Sequence, residues 1–500
     1  MSSNPDSALA NLQATALTAR CHNAFFRQKQ LKSLHETLRN NTSSIKDAIK
    51  QDTRVSDAEA TTEVALALDI VKEHYSSVDV KKELEAEYRI TNGKDASDRS
   101  VSWGVVYFES QRSHTPFFSV IVASSAALAA GNCVAMKLEK NLRALPSLLR
   151  KLLSEALEAD TFAIITSDPS KGSLSSCLQV LQETQVERPA YSQLVSPKGK
   201  VIAVVDRTAD LASAAEQLVA ARFAFGGTSP YAPDLVFVNE FIKKNFLEHV
   251  LRQSIRYLSG SEDVVANGSK SPTLAAPKPT SRVSEAFKSL KDSKSWKTNV
   301  ITQGDNGAII ELSNLSNLPT KTAQPIFCIT SITSLEHVIS LVDEDLEVPN
   351  TLLAAYHFGT PSAGKYLSQF INADASFINH IPYRLLLGPS APSFHPIDIE
   401  KRYTTQHFTR ASPAYITAPA SQSALSQVVA SKDSRRVAAE LLAKASQEIK
   451  EGKRADWIAI GYFEQGIFIG LGLYGIPLLS CIGASLFFGV RAGLRRWVFV

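Results

Sequence analysis

The sequence predicts an α/β protein followed by a C-terminal transmembrane helix. Two observations predict the α/β part. Strand-like and helical stretches alternate from about residue 104 to residue 380, the strand–helix–strand order of a parallel sheet. The composition, 44% hydrophobic and 20% charged, is that of a folded chain and excludes a disordered one. The third observation predicts the membrane helix. From Gly466 to Val490 the chain reads GIFIGLGLYGIPLLSCIGASLFFGV, twenty-five residues without a charge. About 20 apolar residues cross a bilayer core of ~30 Å.

Taken in order, residues 8–52 have helical spacing of apolar positions, and 57–76 form a second helix. Residues 77–103 are polar, with alternation too weak to assign a strand. A strand follows at 104–109 (GVVYFE), then the loop SQRSHTP, the apolar helix FFSVIVASSAALAAG and the strand NCVAMKLE. Residues 143–157 are helical and 161–166 a strand. Strands at 200–206 and 234–239 flank a helix at 208–223. Residues 257–300, rich in Ser, Lys, Gly and Pro, read as a flexible surface insertion. Strands at 325–331, 351–357 and 374–379 then alternate with helices at 333–344 and 361–371. Residues 386–402 read as irregular, and 421–456 as a polar helical linker to the membrane segment. The 500 residues hold no internal repeat.

The formal charge is +4, and three of those charges, Arg491, Arg495 and Arg496, follow the apolar run. The remainder is nearly neutral, which excludes a strongly basic nucleic-acid binder. The Lys-rich stretch 270–294 is interleaved with acids and reads as a solvated loop. Mean hydropathy of −0.05 therefore joins a polar body to one apolar tail. The five cysteines, Cys21, Cys133, Cys177, Cys328 and Cys481, form no C-x-x-C pair. That predicts free thiols in a reducing compartment and no metal site. The N-terminus lacks a basic segment and an apolar core, so no secretory signal is expected. With so few residues after the apolar run, the arrangement predicts a tail anchor in the lipid bilayer, with the preceding domains cytosolic. Trp457 and Trp497 suit interfacial positions.

Several segments, ordered along roughly residues 10 to 420, resemble the aldehyde dehydrogenase superfamily, in particular its class 3, fatty-aldehyde type. They are Gly104-Val105-Val106, Pro116-Phe117, AALAAGNCVAMK (126–137), VVDRTADL (204–211), AFGGTSPYAPDLVFV (224–238), SFINH (376–380) and YTTQHFTRASPAYI (403–416). The resemblance implies a Rossmann-type cofactor domain at 1–196 and an α/β catalytic domain at 197–400. It also implies a bridging β arm from 77–103 and 401–420, and a homodimer or a heterodimer with a related protein.

The family's chemistry needs a thiolate nucleophile, oxyanion donors, a carboxylate base and a nicotinamide. Aligned without gaps, the nucleophile position is Pro230, the base position is Ser196 and the oxyanion Asn position is His114. Ser229, beside Pro230, lacks a neighbouring base. Lys137 matches the lysine that contacts the adenosine ribose, but the residues after it are Leu138 and Lys140 in place of proline and glutamate. The glycine turn and helix under the pyrophosphate fall near 170–185, where the sequence is SKGSLSSCLQVLQETQ. The nicotinamide-ribose glutamate position is Lys321. Cys177 reads as a half-buried helix cysteine rather than a relocated nucleophile. His114 and His380 are two loop histidines that the fold could bring together. The reading is a membrane-anchored pseudoenzyme with no cofactor, acting as a scaffold or partner subunit. The alternative is active oxidation of fatty or apolar aldehydes with NAD or NADP.

Overall fold

The computed structural model describes residues 4–89, 91–258, 287–304, 306–344, 351–412, 422–430, 434–450 and 462–497. Two compact units divide the chain, at residues 1–417 and 418–500.

The first unit opens with helices. They are α1 (Pro5–Leu17), α2 (Ala24–Asn40), α3 (Thr42–Thr53), α4 (Asp57–Ser77) and α5 (Val80–Tyr88). The 8–52 stretch is thus three helices. Ala19, at φ 56°, ends the first in a tight turn, and the Asn23 side chain caps the second by accepting from Phe26 N. Ser56 and Glu59 form a reciprocal capping box that starts α4. Helix α5, capped by Asp79, occupies part of the 77–103 stretch. Its exposed face buries no residue, which is why its apolar pattern was too weak to read.

Strand β1 (Ser100–Ser102) precedes the first main sheet. That sheet contains β2 (Val105–Glu109), β3 (Cys133–Lys137), β4 (Phe162–Ile165), β5 (Leu178–Leu181) and β6 (Gln193–Val195). All pairings are parallel, in the order β4-β3-β2-β5-β6. Helix α6 (Pro116–Ala129) joins β2 to β3, and α7 (Ala144–Ala156) joins β3 to β4. Residues 117–129 of α6 are all buried, between the sheet and α2 and α4. Complete burial explains a helix without a polar stripe. A single turn, α8 (Lys171–Leu174), lies before β5. Successive strands run away from β2 in opposite directions, so the crevice between β2 and β5 is the topological switch point, where such sheets bind ligands.

The second sheet holds β7 (Val201–Val205), β8 (Leu235–Asn239), β9 (Lys297–Gly304), β10 (Gly307–Ser313), β11 (Ile326–Ile332), β12 (Ala354–Phe358) and β13 (Ser376–Ile378). Their order is β13-β12-β7-β8-β11-β10-β9, with β9 antiparallel to β10. Helices α9 (Leu211–Phe223) and α10 (Lys243–Leu258) cover one face; α11 (Leu335–Asp343) and α12 (Pro361–Phe370) cover the other. Alternate residues of β7 serve the two cores: Val201, Ala203 and Val205 on one side, Ile202 and Val204 on the other. Burial on both faces makes such strands apolar throughout.

The expected insertion at 257–300 is corrected at both ends. Helix α10 runs through Leu258, and β9 begins at Lys297. Residues 259–286 lie outside the described ones. β9 is a half-exposed edge strand, so its polar composition resembled a loop. Strand β1 pairs antiparallel with β14 (Thr409–Ala411) as a two-stranded ribbon within the stretches expected to form the arm, with Ser102 opposite Thr409. Residues 413–420 of the expected arm lie outside the described ones.

In the second unit the described residues of the stretch expected as a linker hold two helices, α13 (Gln422–Ala430) and α14 (Ser434–Ala445). Residues 451–456 lie outside the described ones. Then α15 (Tyr462–Gly470), a π turn at Leu471–Gly475 and α16 (Ile476–Trp497) form one continuous helix. The π turn sits directly before Pro477, whose missing N–H and ring a regular turn would not accommodate. Glu464–Arg495 is long and apolar enough to cross a membrane, and it extends beyond the expected 466–490 at both ends.

Candidate active site

His114, at the position the resemblance gives to the oxyanion donor, stands just before α6 and is fully buried. Its Nε2 lies 2.7 Å from the Leu386 carbonyl, and its Nδ1 2.9 Å from the Thr228 hydroxyl. A carbonyl only accepts, so Nε2 carries the proton and Nδ1 faces the hydroxyl. Burial pulls this imidazole down to about 4, so it is neutral at pH 7. His380 does not meet it. That ring is exposed, and its Nδ1 lies against the Ile378 carbonyl.

Thr228 belongs to the loop that carries the nucleophile position. Phe225, Gly226 and Gly227 adopt φ of 51°, 66° and 69°. At Gly227 a Cβ would sit 2.6 Å from Pro325 N, so only glycine fits there. Pro230 is buried and presents neither a nucleophilic atom nor an N–H. Ser229 is equally buried, and its hydroxyl accepts from Tyr231 N at 3.3 Å. Tyr231 then anchors the loop. Its carbonyl accepts from the Tyr356 hydroxyl at 2.9 Å, its own hydroxyl accepts from Ala391 N at 3.0 Å, and Arg402 stacks 5.1 Å from its ring. Ser196, at the base position, donates to the Ser390 carbonyl at 3.0 Å.

Beside His114 and Thr228 is a cavity of about 160 Å³, lined by Glu63, Ser113, Thr115, Phe225, Thr228 and Gln324 among others. No cysteine lines it. Glu63 is its least expected member. The carboxylate accepts from Phe117 N and Phe118 N at 2.9 and 3.1 Å and so caps α6. Burial raises it to about 7 against those two hydrogen bonds. Glu63 shares the apolar face of Ala60, Val64 and Ala67; an acid on that face was the signal available in the sequence.

The remaining thiols are elsewhere. Cys177 immediately precedes β5 and is buried, where desolvation raises it. Cys328 on β11 is pushed up to about 12 by burial. Among the described residues no three His, Cys, Asp or Glu side chains converge as metal ligands.

At the switch point the chain's own side chains occupy the strand ends. Gln111 N donates to the Gln182 side chain, and Arg112 N donates to the Glu183 carboxylate, both at 2.8 Å. The Gln182 amide also donates to the Ser119 carbonyl and the Tyr403 hydroxyl, at 3.2 and 3.3 Å. Gln182 and Glu183 therefore stand where the glycine turn was expected. Residues 182–192, joining the parallel strands β5 and β6, contain no helix. A helix N-terminus and a close backbone approach are the two features that hold a pyrophosphate. Lys137, at the end of β3, forms an ion pair with Asp168, which also accepts from the Tyr107 hydroxyl at 3.1 Å.

Lys321, at the ribose-glutamate position, turns inward. Its ammonium donates to Asp234 at 2.9 Å, and Arg222 lies 3.5 Å from the other oxygen of the same carboxylate. Asp234 also accepts from Val201 N at 2.9 Å. Desolvation lowers the pKa of both cations. Asp234→Ala would leave two cations against one another with no anion, an expected loss of at least about 3 kcal/mol. Urea unfolding of this variant would show it; an unchanged midpoint would mean the pair contributes nothing.

The five-stranded parallel sheet, the seven-stranded sheet and the two-stranded ribbon together define the aldehyde dehydrogenase fold. Residues 3–176 match the family model described as the aldehyde dehydrogenase family. The structure is similar to substrate-bound AldH of Staphylococcus aureus, with TM-score 0.62, 16% identity, and 83% of this chain and 94% of that one covered. It is also similar to an NAD-dependent benzaldehyde dehydrogenase from Corynebacterium glutamicum (TM-score 0.60, 15% identity, 81% and 88% covered). A third is a salicylaldehyde dehydrogenase from Pseudomonas putida G7 complexed with salicylaldehyde (0.57, 14%, 82% and 90%). No curated protein matches in sequence.

Proposed function

We propose that this is a membrane-anchored protein of the aldehyde dehydrogenase fold that does not catalyse the family's oxidation. It acts instead as a scaffold or as the partner subunit of a related protein. The observation that carries this reading is the switch-point crevice, where Gln182 and Glu183 take the loop N–H groups. Glu183 would set a carboxylate against a pyrophosphate, and like charges at close range repel. The residues present do not fit NAD or NADP. Pro230 and Ser196 in place of the thiol and the base support the same reading. The ribbon of β1 and β14 offers an edge for a homodimer or a heterodimer. The apolar helix Glu464–Arg495 supports the anchor.

The alternative, NAD(P)-dependent oxidation of fatty or apolar aldehydes, has the fold in its favour. Calorimetric titration of the detergent-solubilised chain with NAD and with NADP separates the two. The expected result is no heat of binding at millimolar dinucleotide and no turnover of medium- or long-chain aldehydes. Saturable binding with turnover would establish the dehydrogenase reading instead.

A further inference from the structure

We propose that Cys21 and Cys133 form an oxidisable dithiol, a modification site that closes to a disulfide when the protein meets a peroxide. The two cysteines are 112 residues apart in sequence, yet their sulfurs lie 3.6 Å apart. Cys21 sits in the turn Arg20–His22 between α1 and α2, and Cys133 is the first residue of β3. Both face the small core under α1, with Leu9, Leu12, Val105 and Ala135.

The backbone holds the two segments together independently of the thiols. Gly131, two residues before Cys133, has φ +85°, and a Cβ there would stand 2.9 Å from the Cys21 carbonyl oxygen. A side chain at that position would push the turn away. Disulfide closure needs the sulfurs to move from contact to bonding distance, a change that χ1 rotation on two adjoining short side chains can supply.

The surroundings divide the roles. The hydrogen bond from Cys133 lowers the Cys21 thiol, burial opposes it, and the charges of Arg20 and Arg27 lower the thiol further; Cys133 is raised by the same hydrogen bond and by burial. Thiolates react with peroxide and thiols do not. Cys21 is 5% exposed and Cys133 fully buried, so Cys21 lies nearer the surface of the two. The oxidant is hydrogen peroxide. The Cys21 thiolate attacks one peroxide oxygen, the O–O bond breaks, and the departing hydroxide takes a proton to become water. The product is a sulfenic acid on Cys21. Cys133 then attacks that sulfur, the S–O bond breaks, and the leaving hydroxide takes the Cys133 proton as a second water. The two thiols lose two electrons and two protons, and the peroxide gains them. A dithiol reductant reverses the bond. Closure would pin the α1–α2 turn to the strand that ends in Lys137.

The test uses the full chain in mild detergent. It is exposed to hydrogen peroxide, unfolded with a maleimide present, and mapped by mass spectrometry without reduction. The expected result is one peptide pair joining Cys21 to Cys133, lost after dithiothreitol. The oxidised protein should melt at a higher temperature than the reduced one. Cys133→Ser should instead accumulate a sulfenic acid on Cys21 that dimedone traps. Two results would overturn the proposal. One is that both thiols remain open to maleimide after a free-cysteine peptide in the same tube has been oxidised. The other is that Cys21 is found joined to Cys177, or to another molecule, rather than to Cys133.

Discussion

Lowering the pH from 7 to 4.5 is expected to destabilise the first unit by about 5 kcal/mol, a large share of the ~5–15 kcal/mol by which folded domains are stable. Three buried histidines account for that figure, and the half-buried His407, also lowered to about 4 by desolvation, adds to it. Burial lowers His74, His114 and His357 to about 4. An unfolded histidine titrates near ~6.5. Between those values the unfolded chain takes up protons that the folded chain refuses. Stability is therefore complete above the unfolded pKa and falls as pH drops. Glu63 works in the opposite sense. Held at about 7 when folded, it binds its proton before the unfolded carboxyl does, near ~4.3. It returns part of what the histidines remove. The net slope near pH 5.5 is about 2–3 kcal/mol per pH unit. Urea midpoints at several pH values would measure it, and a flat profile would contradict it. His357→Leu is the control. Among the described residues, both ring nitrogens of His357 are buried without a partner. This variant should be more stable at pH 7 and lose about 1.4 kcal/mol per pH unit from the slope. His114 and His74 are hydrogen-bonded to the Leu386 and Tyr403 carbonyls and to the Thr228 and Ser125 hydroxyls, so replacing them would mix packing with titration.

The same residues show how far sequence patterns reach. The strands of the two main sheets were legible because burial on both faces leaves a run of apolar residues, as in Val201–Val205. Helix α6 was legible by its length, flanked by two strands. Helix α5 and strand β9 were not, since each lies at an edge and buries little. Position counting found Pro230, Ser196 and His114, but counting says nothing about direction. Lys321 occupies a position tied to a ribose and points into the core at Asp234. That turn depends on Asp234, which is 87 residues away in the chain. Gln182 and Glu183 lie within 170–185, a stretch whose only glycine is Gly172. What they do there, taking N–H groups of the loop after β2, is a tertiary fact that no local pattern carries. Glu63 was hidden for the opposite reason: its periodicity is that of a core position, and only its charge is out of place.

Removing residues 457–500 is expected to transfer the protein from the membrane pellet to the soluble fraction. The stretch 466–490 holds thirteen Ile, Leu, Phe and Val residues and no charge. At ~0.3–0.6 kcal/mol each on an insertion scale, these residues favour the bilayer by about 4–8 kcal/mol. The glycines, Ser480, Ser485 and Pro477 reduce that figure without reversing it, because serines bond back to the helix, as Ser480 does to the Ile476 carbonyl at 2.8 Å, and membrane helices tolerate proline. In the structure Phe468, Leu478, Leu479, Phe487 and Phe488 are all more than 60% exposed. A continuous apolar surface of that size does not persist in water. Arg491 and Arg495 lie past the uncharged stretch, where long cationic side chains can reach the headgroups. Alkaline carbonate extraction followed by fractionation reads the outcome. A single charge at the centre, Ile482→Arg, should weaken retention by about 2.5–3.5 kcal/mol, with no change to the folded unit at residues 1–417. A truncated chain that still pellets would place a membrane contact in the α/β unit or in α13 and α14. An intact chain that washes off in carbonate would mean the helix lies on the membrane surface or on a partner rather than across the bilayer.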